Sequence, residues 1–163
     1  MRDYVLAIDP GTTESGVCLV RTEDCRPIAF DKIKNEDVEE WVWEKCSGLE
    51  FDLVIEMVAT YGMPVGREVF ETCVWIGRFI EQIDNGDKYN FIYRNEEKIT
   101  LCRSPKANDA TIKQALVDRF AWGQKNYGKG TKNNPGWFYG FQHDIWQAYA
   151  VAVTYIEKQR YPG

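Results

Sequence analysis

The stretch V5-L-A-I-D-P-G-T-T-E-S-G-V-C-L-V20 decides the fold of this chain. Two apolar runs flank a turn marked by glycine, so the stretch predicts a β-hairpin with strands over 4–9 and 16–20. Asp9 ends the first strand, where a carboxylate is costly unless it is paired, hydrogen-bonded or bound to a cation. Asp-Pro-Gly-Thr-Thr is also ordinary turn chemistry. From this stretch alone, Asp9 is either a turn residue or one ligand of a site for a divalent cation or a phosphate.

Length and composition favour one domain spanning residues 1–163. A chain of 163 residues with six Trp and 14% aromatic residues has enough bulky material for a full core. The apolar runs fall short of the roughly 20 residues that a spanning helix needs, and the N-terminus lacks the order of a signal peptide. Five cysteines without a C-x-x-C pair predict reduced thiols, mostly in the core. We therefore expect an intracellular protein with no membrane partner.

The charge is distributed unevenly along the chain, although the net charge is only -5. Residues 1–87 hold 8 Lys and Arg against 19 Asp and Glu, whereas residues 88–132 hold 10 against 4. Residues 133–163 hold 2 of each sign. The basic segment is either a solvated face or a local footprint for a polyanion, because nucleic-acid binding needs clustered rather than net positive charge.

Hydrophobic spacing predicts a mixed sheet covered by helices, in the order β-β-β-α-β-α-β-α-α. Strands are predicted over 4–9, 16–20, 27–33, 51–56 and 89–93, and residues 98–102 also have the composition of a strand. Helices are predicted between an Asn35 cap and Gly48, over 67–83, over 109–120 with Asn108 or Asp109 as cap, and over 144–157. Residues 122–140 are rich in Gly, Lys and Asn and predict a loop.

The helix over 67–83 has a wide apolar stripe. Such a stripe covers the sheet or forms a subunit interface, and covering the sheet is the default expectation.

Three carboxylates stand at the ends of predicted elements: Asp9 and Glu56 end strands, and Asp144 opens the last helix. If the first and fourth strands are adjacent and parallel, Asp9 and Glu56 meet at one edge of the sheet. Gln147 follows Asp144 on the same helix face at i+3. Each acid alone is also explained structurally, as a turn residue, an exposed strand end or a helix cap. Together they predict a site for Mg²⁺ or Mn²⁺ of the kind used in phosphodiester hydrolysis.

Three motifs in this order, I8-D-P-G-T-T-E-S-G16, V54-I-E56 and H143-D-I-W-Q-A-Y-A-V-A152, resemble the RuvC-like Holliday-junction resolvases of the RNase H-like superfamily. The loop G130-T-K-N-N-P-G136 before the last helix is most similar to the bacteriophage members. The resemblance covers essentially the whole chain. It implies an RNase H-like α/β fold with a central five-stranded mixed sheet flanked by helices.

The resemblance also implies an activity and its residues. Asp9, Glu56 and Asp144 would be catalytic ligands of two Mg²⁺ or Mn²⁺ ions, with Gln147 in the fourth ligand position and Lys98 near the scissile phosphate. The implied enzyme is a crossover junction endodeoxyribonuclease, a homodimer that nicks four-way DNA junctions in the cytoplasm of a bacterium or a phage-infected cell.

The basic segment would bind the junction arms, and Tyr61 would either stack on an unpaired base or pack on the adjacent helix. The residues assigned to the DNA backbone are Arg103, Lys106, Lys113, Lys125, Lys129 and Lys132. His143 is a phosphate contact at most, since it precedes Asp144 and faces elsewhere on the helix. Asp109 is either a cap or a further metal ligand.

Position 147 separates two hypotheses. Members of the family commonly have an acid there, whereas Gln147 offers only a neutral carbonyl. The alternative function is therefore a branched-DNA-binding protein of the same fold with weak or no cleavage. An actin-like ATPase also uses an Asp-x-Gly-Thr-Thr turn, but it needs two such domains and 163 residues are too few. A purely structural domain would not require three acids at element ends.

Overall fold

The computed structural model describes residues 1–83 and 88–163. The strands in these ranges are β1 (Tyr4–Asp9), β2 (Glu14–Arg21), β3 (Arg26–Lys34), β4 (Phe51–Met57) and β5 (Tyr89–Tyr93). The helices are α1 (Val38–Cys46), α2 (Arg67–Gln82), α3 (Arg94–Cys102), α4 (Asp109–Phe120) and α5 (His143–Arg160). Short 3-10 turns occur at Asn35–Asp37 and Asn126–Gly128.

The five strands form one mixed sheet in the order β3-β2-β1-β4-β5. β1 is antiparallel to β2 and parallel to β4, with Ile8 opposite Ile55. β5 extends the parallel half of the sheet beside β4. The predicted parallel contact between the first and fourth strands is therefore confirmed, and it brings the carboxyl ends of β1 and β4, with Asp9 and Glu56, to the same edge.

Alternating side chains of β1 belong to two separate cores. Val5 and Ala7 pack on the face that is covered by α3, α4 and α5, whereas Leu6 and Ile8 pack under α1 and α2. This alternation follows from the period of two of a strand and explains why the central strands are apolar throughout. α5 lies across β1 and β2 and is almost entirely buried from Ile145 to Ile156, so its first turn is held at the edge of the sheet.

The expectation of strand structure over 98–102 is wrong, because these residues form the second half of α3. The helix begins where the Glu96 carboxylate accepts a 2.7 Å hydrogen bond from the Tyr93 backbone N–H, a local cap that favours helix. Its buried face consists of Glu97 and Leu101, which are four residues apart. A carboxylate at an inward helical position hides the apolar period from a reading of the sequence.

α2 uses its two faces differently. Thr72, Ile76 and Phe79 are buried against the sheet, which confirms the expected covering role. Phe70 and Val74, one helical turn apart, are 61% and 62% exposed on the outer face. The apolar stripe is thus wider than the sheet requires.

The cysteines in the described ranges are free thiols, and Cys18, Cys25 and Cys46 are buried, as expected. Among the helices of residues 1–83 and 88–163, none has the length and apolar character needed to span a membrane.

Candidate functional site

A groove of about 880 Å³ opens at the edge of the sheet where β1 and β4 end and α5 begins. Six of the residues predicted for the site line it: Asp9, Glu56, Lys113, Lys129, Asp144 and Gln147. His143 also lines this groove, contrary to the expectation that it faces elsewhere. The sheet, the basic loop before α5 and the starts of α4 and α5 therefore meet at one place.

The turn after β1 is held by a buried polar contact. The Ser15 hydroxyl donates a 2.6 Å hydrogen bond to Asn35 Oδ1, and Asn35 Nδ2 donates a 2.9 Å hydrogen bond to the Gly11 carbonyl. The expected role of Asn35 as the cap of α1 is wrong, because the cap residue is Asp37 and Asn35 is fully buried. Because Asn35 forms hydrogen bonds with both Ser15 and Gly11, it fixes the backbone conformation of the turn that follows Asp9.

Asp9 and Glu56 lie side by side at this edge. Burial raises the pKa of Asp9 well above its usual value, and the neighbouring Glu56 and Asp144 raise this pKa further, while Arg94 opposes them. A cation at this edge would relieve the repulsion between these acids.

Glu97 of α3 is an additional acid at this site, and the sequence reading missed it. Its side chain is fully buried, and burial followed by the proximity of Glu56 raises the pKa of Glu97 to about 11. Gln147 Nε2 donates 2.7 Å hydrogen bonds to both Glu56 Oε1 and Glu97 Oε1. The spacing of Glu97 and Leu101 was the only available signal for an inward-facing acid, and the strand assignment concealed it.

Asp144 is paired with Lys32, whose ammonium nitrogen lies 2.5 Å from Asp144 Oδ2 and 3.6 Å from Glu14 Oε2. Asp144 is the main reason why the pKa of Lys32 is raised. Asp9, Gly16 and Lys32 stand opposite one another on β1, β2 and β3, so this lysine belongs to the same row of the sheet as Asp9. Strand register, rather than any motif, places Lys32 at the site.

The donor set is suited to a hard divalent cation. Asp9, Glu56, Asp144 and Gln147 offer carboxylate and amide oxygens, which Mg²⁺ and Mn²⁺ prefer. In residues 1–83 and 88–163, however, no three His, Cys, Asp or Glu side chains are arranged as a ready-made metal site. The carboxylates are instead paired with each other and with Lys32, so cation binding requires rotation of side chains.

Arg94 balances part of the negative charge. It contacts Asp109 and lies 3.3 Å from Glu97 Oε1. Asp109 is 88% exposed and is the first residue of α4, whereas Asn108 is the cap and accepts a 2.9 Å hydrogen bond from the Thr111 N–H. The cap is therefore Asn108, one of the two expected residues. Asp109 lines the groove and forms an ion pair with Arg94, and its role as a further metal ligand stays a prediction.

The predicted DNA-binding lysines differ in whether they line the groove. Lys113 lines the groove with its ammonium 3.7 Å from the centre of the Tyr127 ring, and burial together with Lys129 lowers its pKa. Lys106, Lys125 and Lys132 are exposed on the connections around α4. Lys113 and Lys129 are the predicted lysines that line the groove, and they form its basic rim.

Like Lys106, Lys125 and Lys132, three further predicted residues are not among those that line the groove. Lys98 is half-buried on α3, directly after Glu97 and on a different helix face. Arg103 ends α3 and lines a separate depression with Glu157 and Lys158. Tyr61 is 67% exposed in the connection after β4. Their roles stay predictions.

No protein-family model matches the chain, and no curated protein matches its sequence. Solved structures of Thermus thermophilus RuvC do match. One superposes with a TM-score of 0.73 at 16% identity over 96% of this chain and 95% of that chain. A second, T. thermophilus RuvC in complex with Holliday junction substrate, gives 0.72 at 16% identity over 96% and 94%. At this identity the likeness establishes the architecture, and the chain therefore has the RuvC form of the ribonuclease H-like fold.

Proposed function

We propose that this chain is a divalent-metal-dependent, structure-selective DNA endonuclease that resolves four-way junctions or other branched DNA by paired nicks. The observation that carries the proposal is the convergence of Asp9, Glu56, Asp144 and Gln147 on one groove. The groove has a basic rim, and a structure of the same fold, T. thermophilus RuvC, holds Holliday junction substrate. Carboxylates that converge beside cationic residues are suited to hydrolysis of a phosphodiester.

Asp9, Glu56 and Asp144 would hold Mg²⁺ or Mn²⁺, with the Gln147 carbonyl as a neutral ligand. When bound, such cations polarise a phosphoryl oxygen and lower the pKa of water. Asp9 and Glu56 would each offer a carboxylate oxygen to the cation, which would relieve the repulsion between these neighbouring acids. Asp144 is paired with the Lys32 ammonium, so it would exchange this partner for the cation.

The basic rim would position the DNA backbone. Lys113 is held over Tyr127, and its ammonium is 5.0 Å from the centre of the Trp146 ring. These ring contacts restrict a flexible side chain, which reduces the entropy lost when Lys113 binds a phosphate. Lys129 lines the same groove and adds a second cation. Phosphate contacts of this kind set register and affinity, and they carry no sequence information.

Paired nicks require two active sites, which a homodimer supplies. The outer face of α2, with Phe70 and Val74, is the strongest candidate for the interface, and Met63 in the preceding connection is 70% exposed as well. Large apolar groups clustered on one surface favour a protein contact. In a dimer with its two-fold axis at this face, the same patch of each copy forms the interface.

The alternative function is a protein that binds branched DNA with weak or no cleavage. It is favoured by Gln147, because a neutral amide stands where an acid would add negative charge for a second cation. Both functions include binding of branched DNA, and they differ in whether the bound DNA is cleaved.

The decisive experiment measures binding and cleavage of synthetic four-way, three-way and linear DNA in Mg²⁺ and in Mn²⁺. We expect the wild type to nick the four-way junction at paired positions. Asp9→Asn should bind the junction with unchanged affinity and should lose cleavage by at least about 100-fold, a magnitude typical of an essential electrostatic group. Asp3→Asn, which changes an exposed acid at the start of β1, is the matched control.

Full cleavage by Asp9→Asn would overturn the assignment of the site. Tight junction binding by the wild type without nicking in either metal would instead establish the alternative function.

A further inference from the structure

Glu97 is a fully buried carboxyl group beneath the groove, and its surroundings provide hydrogen-bond partners for only one of its two oxygens. Its Oε1 accepts a hydrogen bond from Gln147 and lies 3.3 Å from an Arg94 guanidinium nitrogen. Its Oε2 is buried and has no hydrogen-bond partner within the described residues. A buried oxygen without a partner destabilises the fold, so a carboxyl group kept in this position calls for a use outside the stability of the fold.

Gln147 joins Glu97 to the groove. Both of its amide hydrogens are engaged, one by Glu56 and one by Glu97, at 2.7 Å each. The amide nitrogen therefore faces the two acids, and the amide carbonyl is the group left for the groove. An acid at position 147 could not make this clamp, because it would face two carboxyl groups without a proton to donate.

Glu97 and Gln147 thus form a matched pair. The carboxyl group that the RuvC-like pattern leads one to expect at position 147 of α5 is present one layer deeper, on α3. Glu56 links the two residues of this pair, since it accepts a hydrogen bond from Gln147 and lies beside Glu97. The fully buried Glu97 does not line the groove, so its effect passes through Glu56 and Gln147.

We propose that Glu97 is a positioning residue of the cation site, which fixes Glu56 and the Gln147 carbonyl as ligands through the shared Gln147 amide. This inference rests on the proposed metal-dependent function and names the residue that makes Gln147 compatible with it. Partners behind the ligands of a metal site typically change metal affinity by about 10- to 100-fold when they are removed.

The test is Mn²⁺ binding measured by calorimetry in the absence of DNA, together with cleavage of a four-way junction. Glu97→Gln should weaken Mn²⁺ binding by about 10-fold or more. Glu96→Gln changes the neighbouring acid, which is on the opposite side of α3 against Lys158, and it should leave Mn²⁺ binding unchanged. Wild-type Mn²⁺ affinity in Glu97→Gln would overturn the inference.

An exchange variant separates positioning from a merely structural role. Glu97→Gln/Gln147→Glu keeps one amide and two carboxyl groups in the cluster but reverses their places. We expect it to bind Mn²⁺ within about threefold of the wild type, since the clamp on Glu56 is restored. If Glu97→Gln fails to fold, as judged by circular dichroism, this exchange variant decides: recovered Mn²⁺ affinity supports the inference, and loss overturns it.

Failure of the proposed function gives a different result. A wild type that binds Mn²⁺ and nicks no branched DNA would remove the nuclease function while the Glu97→Gln affinity still reports on the positioning role. A wild type that does not bind Mn²⁺ would overturn both.

Discussion

Gly16 of β2 packs against Asp144 so closely that a Cβ at residue 16 would lie 2.5 Å from the Asp144 carbonyl oxygen. The first turn of α5 therefore rests directly on the backbone of the hairpin that carries Asp9. The same row of the sheet continues to Lys32, which pairs with the Asp144 side chain. Because Gly16 has no side chain to separate the strand from the helix, the hairpin positions both Asp9 and Asp144.

Gly16→Ala should displace the start of α5 and with it Asp144. Overpacking of this kind costs about 1–3 kcal/mol, so the thermal midpoint should fall by several degrees and junction cleavage should fall with it. Gly77→Ala is the control, because the space around Gly77 in α2 is open and alanine favours a helix. A Gly16→Ala protein with wild-type melting and cleavage would show that the contact does not fix Asp144.

The sequence was sufficient for the features that depend on chain order and strand ends. Asp9 and Glu56 were predicted to meet because parallel neighbours align their carboxyl ends, and the register of β1 and β4 confirms it. Strands and helices with a clear apolar period, such as α4 over 109–120, were also predicted correctly.

Other features depend on contacts between residues that are far apart in the chain. Asn35 looked like a helix cap because local rules favour Asn there, whereas its actual partners are Gly11 and Ser15 across the sheet. Lys32 reaches Asp144 through strand register, which no motif records. Glu97 remained hidden because a buried acid breaks the apolar pattern that identifies a helix face. These polar contacts position the site, and pattern alone does not find them.

The outer face of α2 predicts the oligomeric state. Phe70→Glu/Val74→Glu should convert a dimer into a monomer in sedimentation velocity, because two carboxylates would be buried at each copy of a symmetric interface. Trp43→Glu is the control, since Trp43 is 74% exposed on α1, the other helix on this side of the sheet. A wild type that sediments as a monomer at all concentrations would contradict the assignment.

Lys129 predicts the salt dependence of junction binding. Lys129→Ala removes one cation from the groove, so the slope of log affinity against log salt should become shallower by about 1. The measurement is junction affinity over a salt series, with Lys45→Ala on α1 as the control on the opposite face of the sheet. Equal slopes for Lys129→Ala and the wild type would exclude a phosphate contact at this position.

The acidic cluster predicts how the stability of the metal-free protein depends on pH. Burial, followed by the neighbouring Glu56, raises the pKa of Asp9 well above its usual value and that of Glu97 to about 11. Asp144 raises the pKa of Asp9 further, and Arg94 lowers both pKa values. An acid whose pKa is higher in the folded state binds more protons when folded, so folding stability falls as the pH rises above the unfolded value of about 4.

In a chelator, the thermal midpoint of the wild type should therefore fall steadily between pH 5 and pH 8. Glu97→Gln lacks one of these groups, so its midpoint should fall less steeply over the same range, whereas Glu96→Gln should follow the wild type. Addition of Mn²⁺ should raise the wild-type midpoint most at pH 8, because a cation binds the ionised carboxylates. A wild-type midpoint that rises from pH 5 to pH 8 in chelator would show that these acids are not held in their protonated form by the fold.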